Sequence, residues 1–100
     1  MHEIRKDYRL INDEEIETWT GEFCSANTVE VEVGTNGYKG GDTGHGSRTY
    51  FRFKDLACTD VSIKCTEDEV EIELGGDTEL ETFIQSLEFA LKVLKEQSKE

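Results

Sequence analysis

Apolar and polar residues alternate along Thr28-Val-Glu-Val-Glu-Val33 and again along Thr49-Tyr-Phe-Arg-Phe-Lys54. A period of two is the pattern of half-buried strands. In the first run Val29, Val31 and Val33 share one face and Glu30 and Glu32 the other; in the second, Phe51 and Phe53 turn inward while Tyr50, Arg52 and Lys54 turn outward. Two shorter runs follow. Val61, Ile63 and Cys65 alternate with Ser62, Lys64 and Thr66; past a turn at Glu67-Asp68, Val70, Ile72 and Leu74 alternate with Glu69, Glu71 and Glu73. Short connections between these runs predict an antiparallel meander with one wet face.

At Gly75-Gly76 the period changes. Leu80, Phe83, Ile84, Leu87, Leu91 and Leu94 recur at i, i+3, i+4 and i+7, which predicts a helix over 77–98 with one apolar stripe. Asp77-Thr78 is the expected cap, and Thr78-x-x-Glu81 has the spacing of a capping box. The stripe and the inward strand residues are expected to cover each other. The fold class is therefore α+β: a four-stranded antiparallel meander over 28–74, with a long C-terminal helix on one face, in a single domain of 1–100.

Residues 1–27 carry a weaker pattern. Ile4, Tyr8 and Ile11 could line a short helix, while Lys6, Tyr8 and Leu10 would share a strand face. Asn12-Asp-Glu-Glu15 has the Asn-x-x-Glu spacing of a helix start. Ile16 to Phe23 reads as extended, with Trp19 and Phe23 available to pack.

Charge changes what this scaffold can bind. The chain carries 23 acidic and 11 basic side chains, a formal charge of −12. That excludes a general nucleic-acid binder, which needs a cationic face, and disfavours anionic lipid surfaces. The unpaired acids gather in Asp13–Glu17, Glu67–Glu73 and Asp77–Glu81, where they could imitate nucleic-acid phosphates toward a basic protein; Asp13, Glu14, Glu15, Glu67, Asp68, Glu69, Glu71 and Glu73 are the candidate contacts. For Glu30 and Glu32, neighbouring Arg52 and Lys54 offer cross-strand pairing instead. No apolar run reaches membrane-span length and no signal-peptide core follows Met1, so a cytoplasmic protein is expected. Cys24, Cys58 and Cys65 lack a Cys-x-x-Cys pair and read as buried free thiols. His2 and His45 lack metal-ligand spacing beside them, and neither a metal nor another cofactor is expected.

The two long strands are joined by Gly34 to Arg48, which holds six of the nine glycines in the chain. Connections of this length within a compact domain are commonly functional or disordered. Its glycine spacing suggests a phosphate cradle, but Ser47-Arg48 stands where a P-loop requires Lys-Ser/Thr, and a strand follows where a helix is needed. A looser anion nest of backbone N–H groups, helped by Lys39, His45 and Arg48, is compatible with the sequence. Asp42, His45 and Ser47 supply the side chains of a hydrolytic triad, yet three residues of one glycine-rich loop lack the rigid scaffold that such geometry needs. No enzymatic activity is expected. Lys39, Asp42, His45, Ser47 and Arg48 remain the candidate ligand- or partner-binding set of the loop. On the helix, Phe89 and Val93 fall opposite the leucine stripe; left uncovered by the chain, they would support a homodimer.

Gly40-Gly-Asp-Thr-Gly-His-Gly-Ser-Arg-Thr-Tyr-Phe51 resembles a run in short acidic proteins of phages and mobile elements of Gram-positive bacteria. Gly75-Gly-Asp-Thr-Glu-Leu80 and the terminal helix add to the likeness, which spans roughly residues 28–95 and brings no activity with it. In size and acidity the chain is also similar to phage-encoded anti-CRISPR proteins. That similarity implies a non-enzymatic inhibitor in the bacterial cytoplasm that binds a basic nucleic-acid site of a host defence complex. The alternative is a sponge that captures a small ligand or nucleotide in the glycine-rich loop.

Overall fold

The computed structural model describes residues 4–25, 27–42, 45–57 and 60–99. Its order is β1 (Ile4–Ile11), β2 (Glu14–Cys24), β3 (Thr28–Thr35), β4 (Thr49–Ala57), β5 (Val61–Cys65), β6 (Val70–Leu74) and α1 (Asp77–Gln97). Strands β1 to β4 form a four-stranded antiparallel sheet in sequential order, and α1 lies on one face of it. The α+β class and the single covering helix are as the pattern predicts. The strands that build the sheet are not. Residues 4–24 supply two of the four, while β5 and β6 leave the sheet and pair only with each other.

The reason lies at Asn12-Asp13. Ile11 pairs with Glu14, leaving a two-residue hairpin loop whose central residues both have positive φ, 48° and 67°. Asn and Asp tolerate that conformation better than other non-glycine residues, and it matches the twist of paired strands. The expected helix start at Asn12–Glu15 is thus a tight turn.

The helix also sits in an unexpected register. Thr82, Ser86 and Ala90 are buried, and Ala90 packs with Val31 and Val33. Phe53, Phe89, Val93 and Leu94 flank this cluster. The Phe89 ring meets Phe23 edge-on at 5.4 Å, and Phe83 meets Phe53 at 5.6 Å. Small residues at the centre of the contact let the helix sit close to the valines, with the aromatics filling its margins. Phe89 and Val93 are therefore half-buried flanks of this cluster, with Phe89 partly covered by Phe23, so the chain covers part of the self-association surface expected of them. Leu80, Ile84, Leu87 and Leu91, expected in the core, are 45–55 % exposed.

Polar contacts fix this register at both ends. The Asn27 amide donates to Thr82 Oγ1 at 2.8 Å. Gln97 accepts from the Thr35 N–H at 2.8 Å and donates to the Glu17 carbonyl at 2.9 Å. The expected capping box does not form. Gly76, at φ 124°, occupies the N-cap position, and no side chain caps the first turn. Thr78 Oγ1 instead bonds the carboxylate of buried Glu79.

Candidate functional site

The face of the sheet away from α1 carries Glu30 and Glu32, and it is not a free acidic surface. Glu32 is 1 % exposed. Arg9 of β1 grips it with two hydrogen bonds of 2.6 and 2.7 Å. Thr18 donates to it at 2.7 Å, and Arg52 of β4 at 3.0 and 3.2 Å. Arg52 also reaches Glu30 at 2.8 Å, and Arg5 reaches Glu30 at 3.3 Å. The hydrogen bonds from Arg9 hold the Glu32 carboxyl down to about 2 against the opposing effect of burial. Burial pushes Glu30 upward, but hydrogen bonds from Arg52 and Arg5 outweigh it and leave its pKa lowered. Two carboxylates and three guanidinium groups thus close the second face. Arg9 also lies 4.8 Å from the centre of the Tyr50 ring, a cation–π distance.

Pairing of Glu30 and Glu32 with β4 was legible from the alternation of charge. The contribution of β1 was not, because Arg5 and Arg9 read as surface residues until β1 is placed beside β2.

The remaining acids divide into two places. On the β5–β6 hairpin, Val61 pairs with Leu74, Ile63 with Ile72 and Cys65 with Val70, so one face is apolar. Ser62 pairs with Glu73 and Lys64 with Glu71 on the other. Glu67, Asp68, Glu69, Glu71 and Glu73 are all exposed. Among the described residues none of the five makes an ion pair within 4 Å. The turn is closed by the Thr66 N–H on the Glu69 carbonyl at 2.8 Å and by Thr66 Oγ1 on the Asp68 carboxylate at 3.4 Å.

The second place is the β1–β2 turn. Asp13, Glu14 and Glu15 are exposed there, and Glu14 is engaged by the glycine-rich connection. Arg48 Nη2 lies 3.5 Å from Glu14, and the Asn36 amide donates to Glu14 at 3.3 Å. Asn36 and Arg48 also clasp the base of residues 36–48. The Arg48 N–H donates to Asn36 Oδ1 at 2.7 Å, and the Asn36 N–H donates to the Arg48 carbonyl at 3.2 Å. Arg48 also bonds the Gly46 carbonyl at 2.9 Å. Its role is to close the loop onto the neighbouring hairpin.

Lys39, Asp42, His45 and Ser47 lie exposed beyond this clasp. The His45 N–H donates to the Asp42 carbonyl at 3.1 Å, and no hydrogen bond joins the side chains of Asp42, His45 and Ser47. Thr35, Gly37, Tyr38, Ser47, Thr49 and Ser98 line a cleft of about 170 Å³ floored by Leu94. Its exposed lining is mostly apolar, with the hydroxyls of Thr35, Ser47, Thr49 and Ser98 among it. Sequence reasoning found Ser47 but missed Thr35, Thr49 and Ser98, which are remote from one another along the chain.

Among the described residues no three His, Cys, Asp or Glu side chains converge as metal ligands, and no helix is long and apolar enough to cross a membrane. Cys24 and Cys65 are exposed, not buried; Cys58 and His2 lie outside the described residues. No protein-family model, curated protein or solved structure matches the chain.

Proposed function

We propose that the protein is a non-enzymatic inhibitor of the anti-CRISPR type, acting in the bacterial cytoplasm. It occupies a basic nucleic-acid-binding site of a host defence complex through the carboxylates of the β5–β6 hairpin. The observation that carries this reading is the separation of two kinds of acid. Glu30 and Glu32 are neutralised by three arginines, whereas Glu67, Asp68, Glu69, Glu71 and Glu73 stand exposed with no ion pair among the described residues. Carboxylates along two adjacent strands can meet several cations of one basic groove, and like-signed crowding is relieved on binding. Asp13 and Glu15 provide a smaller acidic patch at the β1–β2 turn.

The cleft at the base of the glycine-rich loop, where four hydroxyls interrupt an apolar lining, favours one other reading, a sponge for a small ligand. Its volume is below the ~300 Å³ at which sites for drug-sized molecules begin, so a fragment smaller than a nucleotide fits better.

Capture of partners from a phage-host lysate, followed by a salt series, tests the choice. Replacing Glu67, Asp68 and Glu71 by Gln or Asn slows association with a basic partner and flattens its salt dependence. Loss of activity in a Ser47→Ala, Thr49→Val variant alone, with salt-insensitive binding, overturns the acidic-hairpin reading in favour of the cleft.

A further inference from the structure

The leucines that the helix does not turn toward the sheet form a surface of their own. Leu80, Ile84, Leu87 and Leu91 follow spacings of four, three and four residues, the seam of a helix that packs against another helix. All four are 45–55 % exposed, and Phe51, at the uncovered β4 side of the same sheet face, is 50 % exposed. α1 lies mainly over β3 and β2 and touches β4 at Phe53, leaving Phe51 half-exposed at the margin, so this apolar surface runs from the helix onto the sheet edge.

The size of the molecule says that a substantial surface is left over. A folded monomer of 11.4 kDa exposes roughly 5,800 Å². This chain exposes 6730 Å², an excess of about 900 Å². Stable interfaces bury about 800 Å² on each partner. The radius of gyration, 14.6 Å, likewise exceeds the ~13 Å expected for this length.

We propose that α1 packs antiparallel against α1 of a second copy of this chain. Leu80 then meets Leu91 of the second copy, and Ile84 meets its Leu87. Charge sets the occupant and its direction. The first turns of α1 expose Asp77 and Glu81, and the last expose Lys92 and Lys95 beside Glu96, which pairs with Lys99 just past the helix end. An antiparallel pair sets each acidic end beside a basic end, and opposes the two helix dipoles head to tail. A parallel pair would set like beside like. A second copy thus offers the same apolar seam with complementary charge at each end, and a two-fold axis closes the assembly. This interface is independent of the acidic hairpin proposed above.

Sedimentation equilibrium of the full chain over a concentration series, with circular dichroism on the same samples, tests the assembly. The wild type is expected to be dimeric, and Leu87→Gln with Leu91→Gln to raise its dissociation constant more than about tenfold while the helix signal at low concentration is retained. Should that variant fail to fold, two surface charge variants decide. Lys92→Glu with Lys95→Glu weakens self-association, and mixing it with Asp77→Lys, Glu81→Lys restores dimers containing one of each. A wild type that is monomeric up to its solubility limit overturns the proposal. So does a dimer indifferent to the leucine changes, or one whose charge variants fail to recover on mixing.

Discussion

Phe89 meets Phe23 edge-on at 5.4 Å, and that contact turns Leu87, two residues away, out to solvent. Residues two apart on a helix lie 200° from each other, so both cannot face the sheet. Phe89→Ala should therefore destabilise the monomer by about 2–4 kcal/mol, somewhat under the range for a fully buried Phe. Leu87→Ala should cost less than ~1 kcal/mol in dilute solution, since little of its surface leaves water on folding of the monomer. Urea midpoints measured at low protein concentration check the ranking; equal values would show a different helix register.

That register is where sequence reasoning failed, and the cause is specific. The leucines of α1 form the more conspicuous stripe, and stripes are ordinarily read as core. The face that packs is instead centred on Thr82, Ser86 and Ala90, whose hydrophobicity is low but whose small size permits close approach. Their polar atoms are satisfied locally or by Asn27: Ser86 Oγ bonds the Phe83 carbonyl at 2.7 Å, and Thr82 accepts from Asn27. A hydrophobic stripe reports what avoids water, not which partner covers it. By contrast β3 and β4 were legible, because Val31 lies opposite Phe53 and Val33 opposite Phe51 with the strict period of two.

The Arg9–Glu32 pair makes stability depend on acid. The Glu32 carboxyl is held at about 2 in the folded chain, against an ordinary value of 4.5. Its contribution is therefore fully present above pH ~4.5 and is lost as pH falls toward 2, where folded and unfolded chains both bind the proton. Glu32→Gln should be less stable than wild type near neutral pH by about 1.5–3 kcal/mol, the scale of hydrogen bonds to a charged group, because Arg9 and Arg52 remain partly exposed to water. The gap between the two should close between pH ~4.5 and 2. Thermal melts across that interval measure it, and a constant gap would mean that Glu32 does not titrate with the fold.

At Gly34 the backbone of β3 runs close against that of β2. A Cβ there would strike the Glu17 carbonyl oxygen and lie 2.8 Å from the Thr18 Cα, both backbone atoms that no rotamer change can move. Gly34→Ala should thus destabilise the sheet by more than ~1 kcal/mol, although alanine usually gains stability over glycine by restricting the unfolded chain. The check is the sign of the change in urea midpoint. A stabilised variant would mean that the two strands can separate at little cost.

Gln97 joins three elements at the far end of the helix. Its carbonyl accepts the Thr35 N–H, at the last residue of β3, and its amide donates to the Glu17 carbonyl of β2. Beside it, Thr35 Oγ1 lies 3.0 Å from Thr49 Oγ1 and accepts the Gly37 N–H at 3.2 Å. The entry to the glycine-rich connection is therefore ordered through one side chain of α1. Gln97→Ala strands a donor and an acceptor, each costing about 1–3 kcal/mol if water cannot replace the lost partner. Gln97→Glu keeps the acceptor for Thr35 but takes away the donor to Glu17, so it should recover only the first contact. Hydrogen exchange at the Thr35 and Gly37 amides separates the cases. Both amides should exchange faster in Gln97→Ala, with Thr35 slowed again in Gln97→Glu. Unchanged protection in the alanine variant would show that the cleft at residues 35–49 holds its shape without the helix, and would remove Gln97 from the account of that site.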